Sequence, residues 1–189
     1  TLLQLISDIL DVSKIEVGQL GLEPGEFSPL ELTLDTVQSY AATARAKGLQ
    51  IYACCDPQMP ERMLGDATRI RQILNNLLSN AVKFTDSGRI VLRVRSEPGE
   101  GWHDTLHWQV ADTGIGIPED QQAHLFDAFY QVSGNARMAG GTGLGLSICK
   151  RLTELMGGQL RVVSDVGLGS SFALSLPLQC VDRQAHNEP

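Results

Sequence analysis

Long apolar runs are missing from this chain. No stretch approaches the length of a membrane span, and no signal peptide is visible. Basic residues are also short: 15 Lys and Arg against 22 Asp and Glu leave a net charge of -7. That excludes a broad nucleic-acid or anionic-membrane surface, because both need clustered cations. The four cysteines contain no CxxC pair, and two of them, Cys54 and Cys55, are adjacent. They make neither a disulfide framework nor a zinc site, and they point to a reducing, intracellular setting. What is there is ordinary for a globular protein: 189 residues, 42% hydrophobic and 20% charged, enough for one domain plus an extra element or two. Glycine is the informative count. The 19 glycines cluster at 114 and 116, at 140, 141, 143 and 145, at 157 and 158, and at 167 and 169. Such clusters mark sharp turns or backbone lying close to something else.

The segment TLLQLISDILDVSKIE reads as one helix whose apolar residues cover more than a single stripe, as in a bundle helix with partners on several sides. Residues 18–27, with Gly18, Gly21, Pro24 and Gly25, read as a linker. A second unit spans 28–178. It opens with a helix capped by Ser28, with Pro29 at its first position, running to about Lys47. A strand over 49–55 follows, then a helix N-capped by Asp66 and running to about Phe84, with Ile70, Ile73, Leu74, Leu77, Leu78 and Ala81 as its apolar stripe. Strands are expected over 89–96 and 106–111, a short helix over 119–126, a loop over 127–141 and a helix over 144–156. A final hairpin takes 159–164 and 170–178, and residues 179–189 read as a tail. This order is not the regular alternation of a doubly wound sheet. It predicts a two-layer α/β sandwich, a mixed sheet with helices on one face.

Four groups of residues carry chemistry. On the helix RIRQILNNLLSNAVKFT, Asn76, Asn80 and Lys83 stand at i, i+4 and i+7 and share a face. Asn oxygens suit Mg²⁺ and Lys neutralises phosphate; the plainer alternative is a polar stripe on a surface helix. Asp112-Thr113-Gly114-Ile115-Gly116 follows a strand, so a carboxylate there can accept from an exocyclic amine while the glycines admit a flat ligand; an Asp-led turn would explain part of it. Gly141-Thr142-Gly143-Leu144-Gly145 leads into a helix, whose first N–H groups attract anions. It is no Walker loop, since Gly-Lys-Ser/Thr is absent, and no dinucleotide fingerprint, since no strand precedes it. Around Gly157-Gly158 and Gly167–Gly169 the glycines mainly turn the chain.

In order and spacing, NNLLSNAVKFT, DTGIGIP, LFDAFYQ, GGTGLGLSI and GGQLRVVSDVGLGSSFALSLPL resemble the N, first Gly, F, second Gly and last Gly boxes of the catalytic, ATP-binding domain of sensor histidine kinases. These share a superfamily with type II topoisomerases, mismatch-repair proteins and a heat-shock chaperone. The likeness covers nearly all of 28–178. DILDVSKIEVGQL is similar to the end of the second helix of the family's dimerisation hairpin, and SKIExGxL with KFT resembles the hybrid group, in which a receiver domain commonly follows.

The resemblance implies the superfamily's α/β sandwich (the Bergerat fold), ATP and Mg²⁺ as ligands, and transfer of the γ-phosphoryl to a histidine. It implies Asn80 on Mg²⁺, Asn76 and Lys83 on phosphates, Asp112 on the adenine amine, and Gly114 and Gly116 along the base. Residues 127–141 would be a lid anchored by Phe126 and Phe129, with Arg137 reaching a terminal phosphate. Gly141, Thr142, Gly143, Leu144 and Gly145 would hold phosphates, and Ser171 would stand near the base. The chain departs from the family at the acceptor: His103, His107, His124 and His186 all lack the His-Glu/Asp-x-Arg/Lys-Thr-Pro context. His103 and His107 are expected in or beside the loop joining two strands. The expected partners are therefore a phosphoacceptor helix outside this chain and a response regulator or receiver domain. The whole protein is expected to be a homodimer and this stretch a monomer, the cytoplasmic part of a bacterial inner-membrane sensor. A module that binds nucleotide to regulate a partner kinase, and an ATP-gated clamp, are the competing readings.

Overall fold

The computed structural model describes residues 2–132 and 141–181. Twelve elements follow in order: α1 (Leu2–Glu16), β1 (Gly25–Phe27), α2 (Pro29–Ala46), β2 (Gln50–Cys55), β3 (Met63–Gly65), α3 (Ala67–Phe84), β4 (Arg89–Pro98), β5 (His103–Asp112), α4 (Glu119–Gln122), α5 (Gly145–Leu155), β6 (Gln159–Asp165) and β7 (Gly169–Cys180). The expected two-layer sandwich is the observed one. The strands form one sheet in the order β1-β3-β7-β5-β4-β2, with β6 also paired to β7. All pairs are antiparallel except β2 with β4. Two parallel neighbours need a long crossover, and α3 lies within it.

Period-two patterning makes the sheet one-sided. Ile90, Leu92 and Val94, then Leu106, Trp108 and Val110, then Phe172, Leu174 and Leu176 are all buried on the helix side. The helices answer with their own stripes: Ile70, Ile73, Leu74, Leu77, Leu78 and Ala81 of α3, and Ile148, Cys149 and Leu152 of α5. One polar chain crosses this core. The Trp108 indole N–H donates to Thr33 Oγ1 at 3.0 Å, and the Thr33 hydroxyl donates to the Pro29 carbonyl at 2.7 Å. The caps are those the sequence predicts. Ser28 Oγ accepts from Glu31 N–H, and Asp66 Oδ1 accepts from Arg69 N–H.

Several boundaries differ from expectation. The last three residues assigned to the linker form β1, which pairs with β3, a three-residue strand that carries no alternation long enough to read. Strands β4 and β5 run further than predicted because the pairing of Pro98 with Asp104 continues past the apolar residues. His103 therefore begins β5 and His107 lies inside it, bonded to Ser175 Oγ and Glu97 Oε2, whereas the sequence reading put both in or beside a loop. Strand β7 takes Gln179 and Cys180 from the expected tail, where they pair with β3. The helix expected over 119–126 is only four residues long. Helix α1 packs along one side. Leu5, Val12 and Ile15 meet the core, and Asp11 bonds Arg69 at 3.4 Å and Gln72 at 2.9 Å on α3. Its other side leaves Leu2, Leu3, Ile6, Ile9 and Leu10 exposed.

Candidate functional site

Between α3, α5 and the ends of β5 and β7 lies a cavity of about 380 Å³. Its walls include Asn76, Asn80 and Lys83 from α3, Asp112 at the end of β5, Gly116 and Ile117 after it, and Gly141, Thr142, Gly143 and Gly145 leading into α5. The stretches 76–83, 112–116 and 141–145 are far apart in sequence, and the fold brings residues 76, 80, 83, 112, 116, 141, 142, 143 and 145 to one hollow.

One corner is built from α3 and the start of α5. Asn76 Nδ2 donates to the Gly145 carbonyl at 3.5 Å. A Cβ placed on Gly145 would lie 3.7 Å from Asn76 Oδ1, and one on Gly141 would lie 3.4 Å from Lys83 Nζ. A side chain on either glycine would therefore fill the space next to the amide and ammonium groups of α3. Leu144, the N-cap of α5, offers no side-chain cap, so the first N–H groups of an eleven-residue helix stay available for an anion. Lys83 Nζ sits 5.1 Å from the centre of the Phe84 ring and has no ion-pair partner among the described residues. This corner is polar and cationic, with oxygen donors.

A second corner is built around Asp112. Its Oδ1 accepts the N–H of Gly114 at 2.8 Å and that of Ser170 at 3.3 Å. Burial pushes the carboxyl above its ordinary value of 3.8, and the Gly114, Ser170 and Thr85 groups pull the other way. The Thr85 hydroxyl beside it is fully buried without a hydrogen bond of good geometry. Gly116 has φ +71°, and a Cβ on it would collide with the Asp165 backbone carbonyl. The glycine is needed there because loop and hairpin meet at backbone distance. Phe172, Ile115, Ile117, Leu125 and Leu146 add apolar wall. A flat, partly apolar group with an amine donor suits this corner.

Four expected site residues stand elsewhere. Ser171 is on the opposite, open face of the sheet, where its Oγ accepts from Gln109 Nε2 at 2.7 Å. Its neighbour Phe172 points into the core, so alternation turns Ser171 away and Ser170 toward the cavity. Gly114 shapes the Asp112 turn without lining the cavity, and a Cβ there would run into the Phe84 carbonyl. Leu144 is buried in the core. Phe129 is 71% exposed, with φ +64°, and its N–H donates to the Gly143 carbonyl at 2.8 Å. Its role is to tie down the loop before α5. Arg137 lies outside the described residues. The sequence reading missed Ser170, and it missed Asp8 of α1, which is 5% exposed and also lines the cavity.

An α/β sandwich whose sheet and two helices enclose a pocket with a carboxylate at one corner and amides, a lysine and a helix start at the other belongs to the ATP-binding domain class. Residues 65–180 match the family model described as "Histidine kinase-, DNA gyrase B-, and HSP90-like ATPase", and the chain belongs to that family. It is 47% identical over 178 residues to "Sensor histidine kinase RcsC" of Escherichia coli strain K12, covering 94% of this chain and 18% of that protein. It is 42% identical over 192 residues to "Virulence sensor protein BvgS" of Bordetella bronchiseptica, covering all of this chain and 15% of that one. The chain thus spans less than a fifth of each of these longer relatives. Among solved structures it is similar to full-length ShkA in complex with AMPPNP, at a TM-score of 0.83 and 32% identity over 95% of this chain and 36% of that one. It is similar also to the catalytic domain of the histidine kinase ThkA, at 0.65 and 27% over 82% of this chain and 97% of that one. Together these make the chain an ATPase domain of this family, similar to the catalytic domains of sensor histidine kinases.

Proposed function

We propose that this domain binds Mg·ATP in the cavity and delivers the γ-phosphoryl to a histidine on a helical hairpin outside residues 1–189. A receiver domain or response regulator takes the phosphoryl next, and the whole protein works as a homodimer. The observation that carries the reading is one cavity that Gly141, Thr142, Gly143 and Gly145 share with Asn76 and Lys83, with Asn76 Nδ2 donating to the Gly145 carbonyl, opposite the Asp112 corner. A purine amine at Asp112 and a phosphate chain at α5 fit those two corners in one molecule.

The donor set suits Mg²⁺. Asn76 and Asn80 offer hard carbonyl oxygens, and Mg²⁺ commonly takes few protein ligands and several from substrate phosphates and water. Among the described residues no group of three or more His, Cys, Asp or Glu side chains is placed to hold a metal alone. Asn80 is assigned to the ion, and Asn76, Lys83, Thr142 and the Gly141–Gly145 backbone to phosphates. When bound, the ion supplies charge neutralisation at the transferring group. The protein's contribution is positioning and electrostatic stabilisation, which carries most of the catalysis in phosphoryl transfer. In place of Ser171, Ser170 is assigned to the base corner. Residues 28–180 are assigned to the catalytic domain and α1 to the hairpin's second helix. No helix among the described residues is long and apolar enough to cross a membrane; attachment of the whole protein to an inner membrane is part of the proposal.

The test is calorimetry of ATP binding with Mg²⁺, followed by transfer from labelled ATP to a supplied histidine hairpin. Binding that is lost or weakened about tenfold or more by Asn80→Asp, together with labelling of the hairpin, is the expected result. Equal affinity in the variant rejects the metal assignment, and binding without labelling rejects the transfer.

A further inference from the structure

One wall of the base corner, Gly116 and Ile117, is held from behind by side chains that do not line the cavity. The Ile117 N–H donates to Ser164 Oγ at 2.8 Å, and the Ile117 carbonyl accepts from Gln122 Nε2 at 2.9 Å. The same Gln122 nitrogen donates to the Ser164 carbonyl at 2.8 Å. Gln122 thus uses both hydrogens of its amide to bridge the loop after β5 and strand β6. It is half-buried and is the last residue of α4.

Ser164 is fastened in turn. Its hydroxyl donates to the Gly169 carbonyl at 3.0 Å, and the next residue, Ser170, gives its N–H to Asp112 Oδ1 at 3.3 Å. The wall and the carboxylate are therefore both anchored to the same short stretch of the β6–β7 hairpin. A flat base between them meets both at a separation that Ser164, Gly169 and Ser170 set. Ile117 offers the apolar surface for that base, and its side chain goes where its backbone is held. Release of the Ile117 carbonyl frees the wall while Asp112 stays. Two ties survive such a release: Ile117 N–H with Ser164 Oγ, and Gly167 N–H with the Ile115 carbonyl at 2.8 Å. The loop then loosens without the domain unfolding.

We infer that Gln122 is a positioning residue for the base. It sets the place of the Ile117 wall relative to Asp112, and so sets how strongly the pocket distinguishes an exocyclic amine from a carbonyl. It acts through Ile117 and not by contact with the nucleotide. The inference rests on the ATP reading of the site and deepens it.

The experiment measures Kd for ATP and for inosine triphosphate, both in excess Mg²⁺, by calorimetry, with competition where binding is weak. Inosine triphosphate keeps the phosphates and carries a carbonyl in place of the amine, so effects at the phosphate corner cancel in the ratio of the two constants. The proteins are the wild type, Gln122→Leu and Gln122→Glu, each verified as folded by thermal melting. Leucine removes both donors at similar size; glutamate keeps the shape and turns an acceptor toward two carbonyls. The wild type should prefer ATP. In both variants that preference should shrink about tenfold, mainly through weaker binding of ATP, as for one hydrogen bond to a charged acceptor lost. A lower melting temperature with an unchanged ratio makes Gln122 a structural residue only and overturns the inference while leaving the ATP site standing. Equal weakening of both ligands does the same. A wild type with no preference for ATP overturns the reading of the base corner and the inference together.

Discussion

The Oδ1 atom of Asp112 accepts the Gly114 N–H at 2.8 Å and the Ser170 N–H at 3.3 Å, while Oδ2 receives neither. The first bond closes a turn after β5 and the second reaches the start of β7. The two strands that meet at this point thereby fix the carboxylate of the cavity, and they fix it with one oxygen only.

The elevated Asp112 carboxyl has a definite sign in pH. The folded state takes up a proton at higher pH than the unfolded chain, whose carboxyl stays near 3.8. Asp112 thus costs stability once it is ionised, and that cost fades as pH falls from above the raised folded value toward 3.8. Asp112→Asn should keep both backbone bonds through its carbonyl oxygen and melt at or above the wild-type temperature at neutral pH, with the difference vanishing near pH 4. Its nucleotide affinity should fall about tenfold or more, because an acceptor for the amine becomes a donor. Paired melting curves and calorimetry across that range check both halves. A variant less stable at pH 7 than at pH 4, relative to wild type, would contradict the assignment.

Gly116→Ala should be poorly tolerated. The residue has φ +71°, and its Cβ would meet the backbone of Asp165 and Val166, which has no flexible end to yield. A loss of more than about 1 kcal/mol is expected from the backbone conformation alone, before the collision is counted. Urea unfolding gives the number. Gly18→Ala is a useful contrast: it shares the positive φ, at +66°, but has open space around it, so it should lose only the conformational part.

Thr33→Val tests the polar chain through the core. Removal of the hydroxyl leaves the Trp108 indole N–H without its acceptor inside a fully buried environment. An unsatisfied buried donor costs about 1–3 kcal/mol. The loss should show as a lower denaturant midpoint with an unchanged slope. Nucleotide affinity should hold, since neither residue lines the cavity.

Much of this molecule is legible in its sequence where local physics acts alone. The cap at Asp66, the stripe from Ile70 to Ala81 and the polar trio Asn76, Asn80 and Lys83 follow from helical spacing, and all appear as read. The strands around Trp108 and Leu174 follow from alternation. What escaped is set by partners distant in sequence. Strand β1 exists because it pairs with β3, and β3 because it pairs with β1 and β7, not because three residues prefer a strand. The extension of β5 back to His103 is polar and is carried by its neighbours β4 and β7. The choice between Ser170 and Ser171 was within reach. A buried Phe172 fixes the parity of the strand and sends Ser171 to the open face. Asp8 gave no comparable signal, because its burial depends on where an amphipathic helix docks.

The placement of β7 also bears on how this domain comes into being. The strand is last in chain order among the described residues, yet it lies inside the sheet, with β5 along one edge and β6 and β3 along the other. Its end pairs Cys180 with Met63. On the ribosome, β3, β5 and β6 would all be made before the strand that joins them, and each would wait with an open edge. Closing so large a span is costly in chain entropy and slow. The nucleotide pocket, which needs Ser170 and Phe172, therefore cannot be completed until synthesis has nearly passed the domain, so nascent chains stalled before residue 169 should bind no nucleotide.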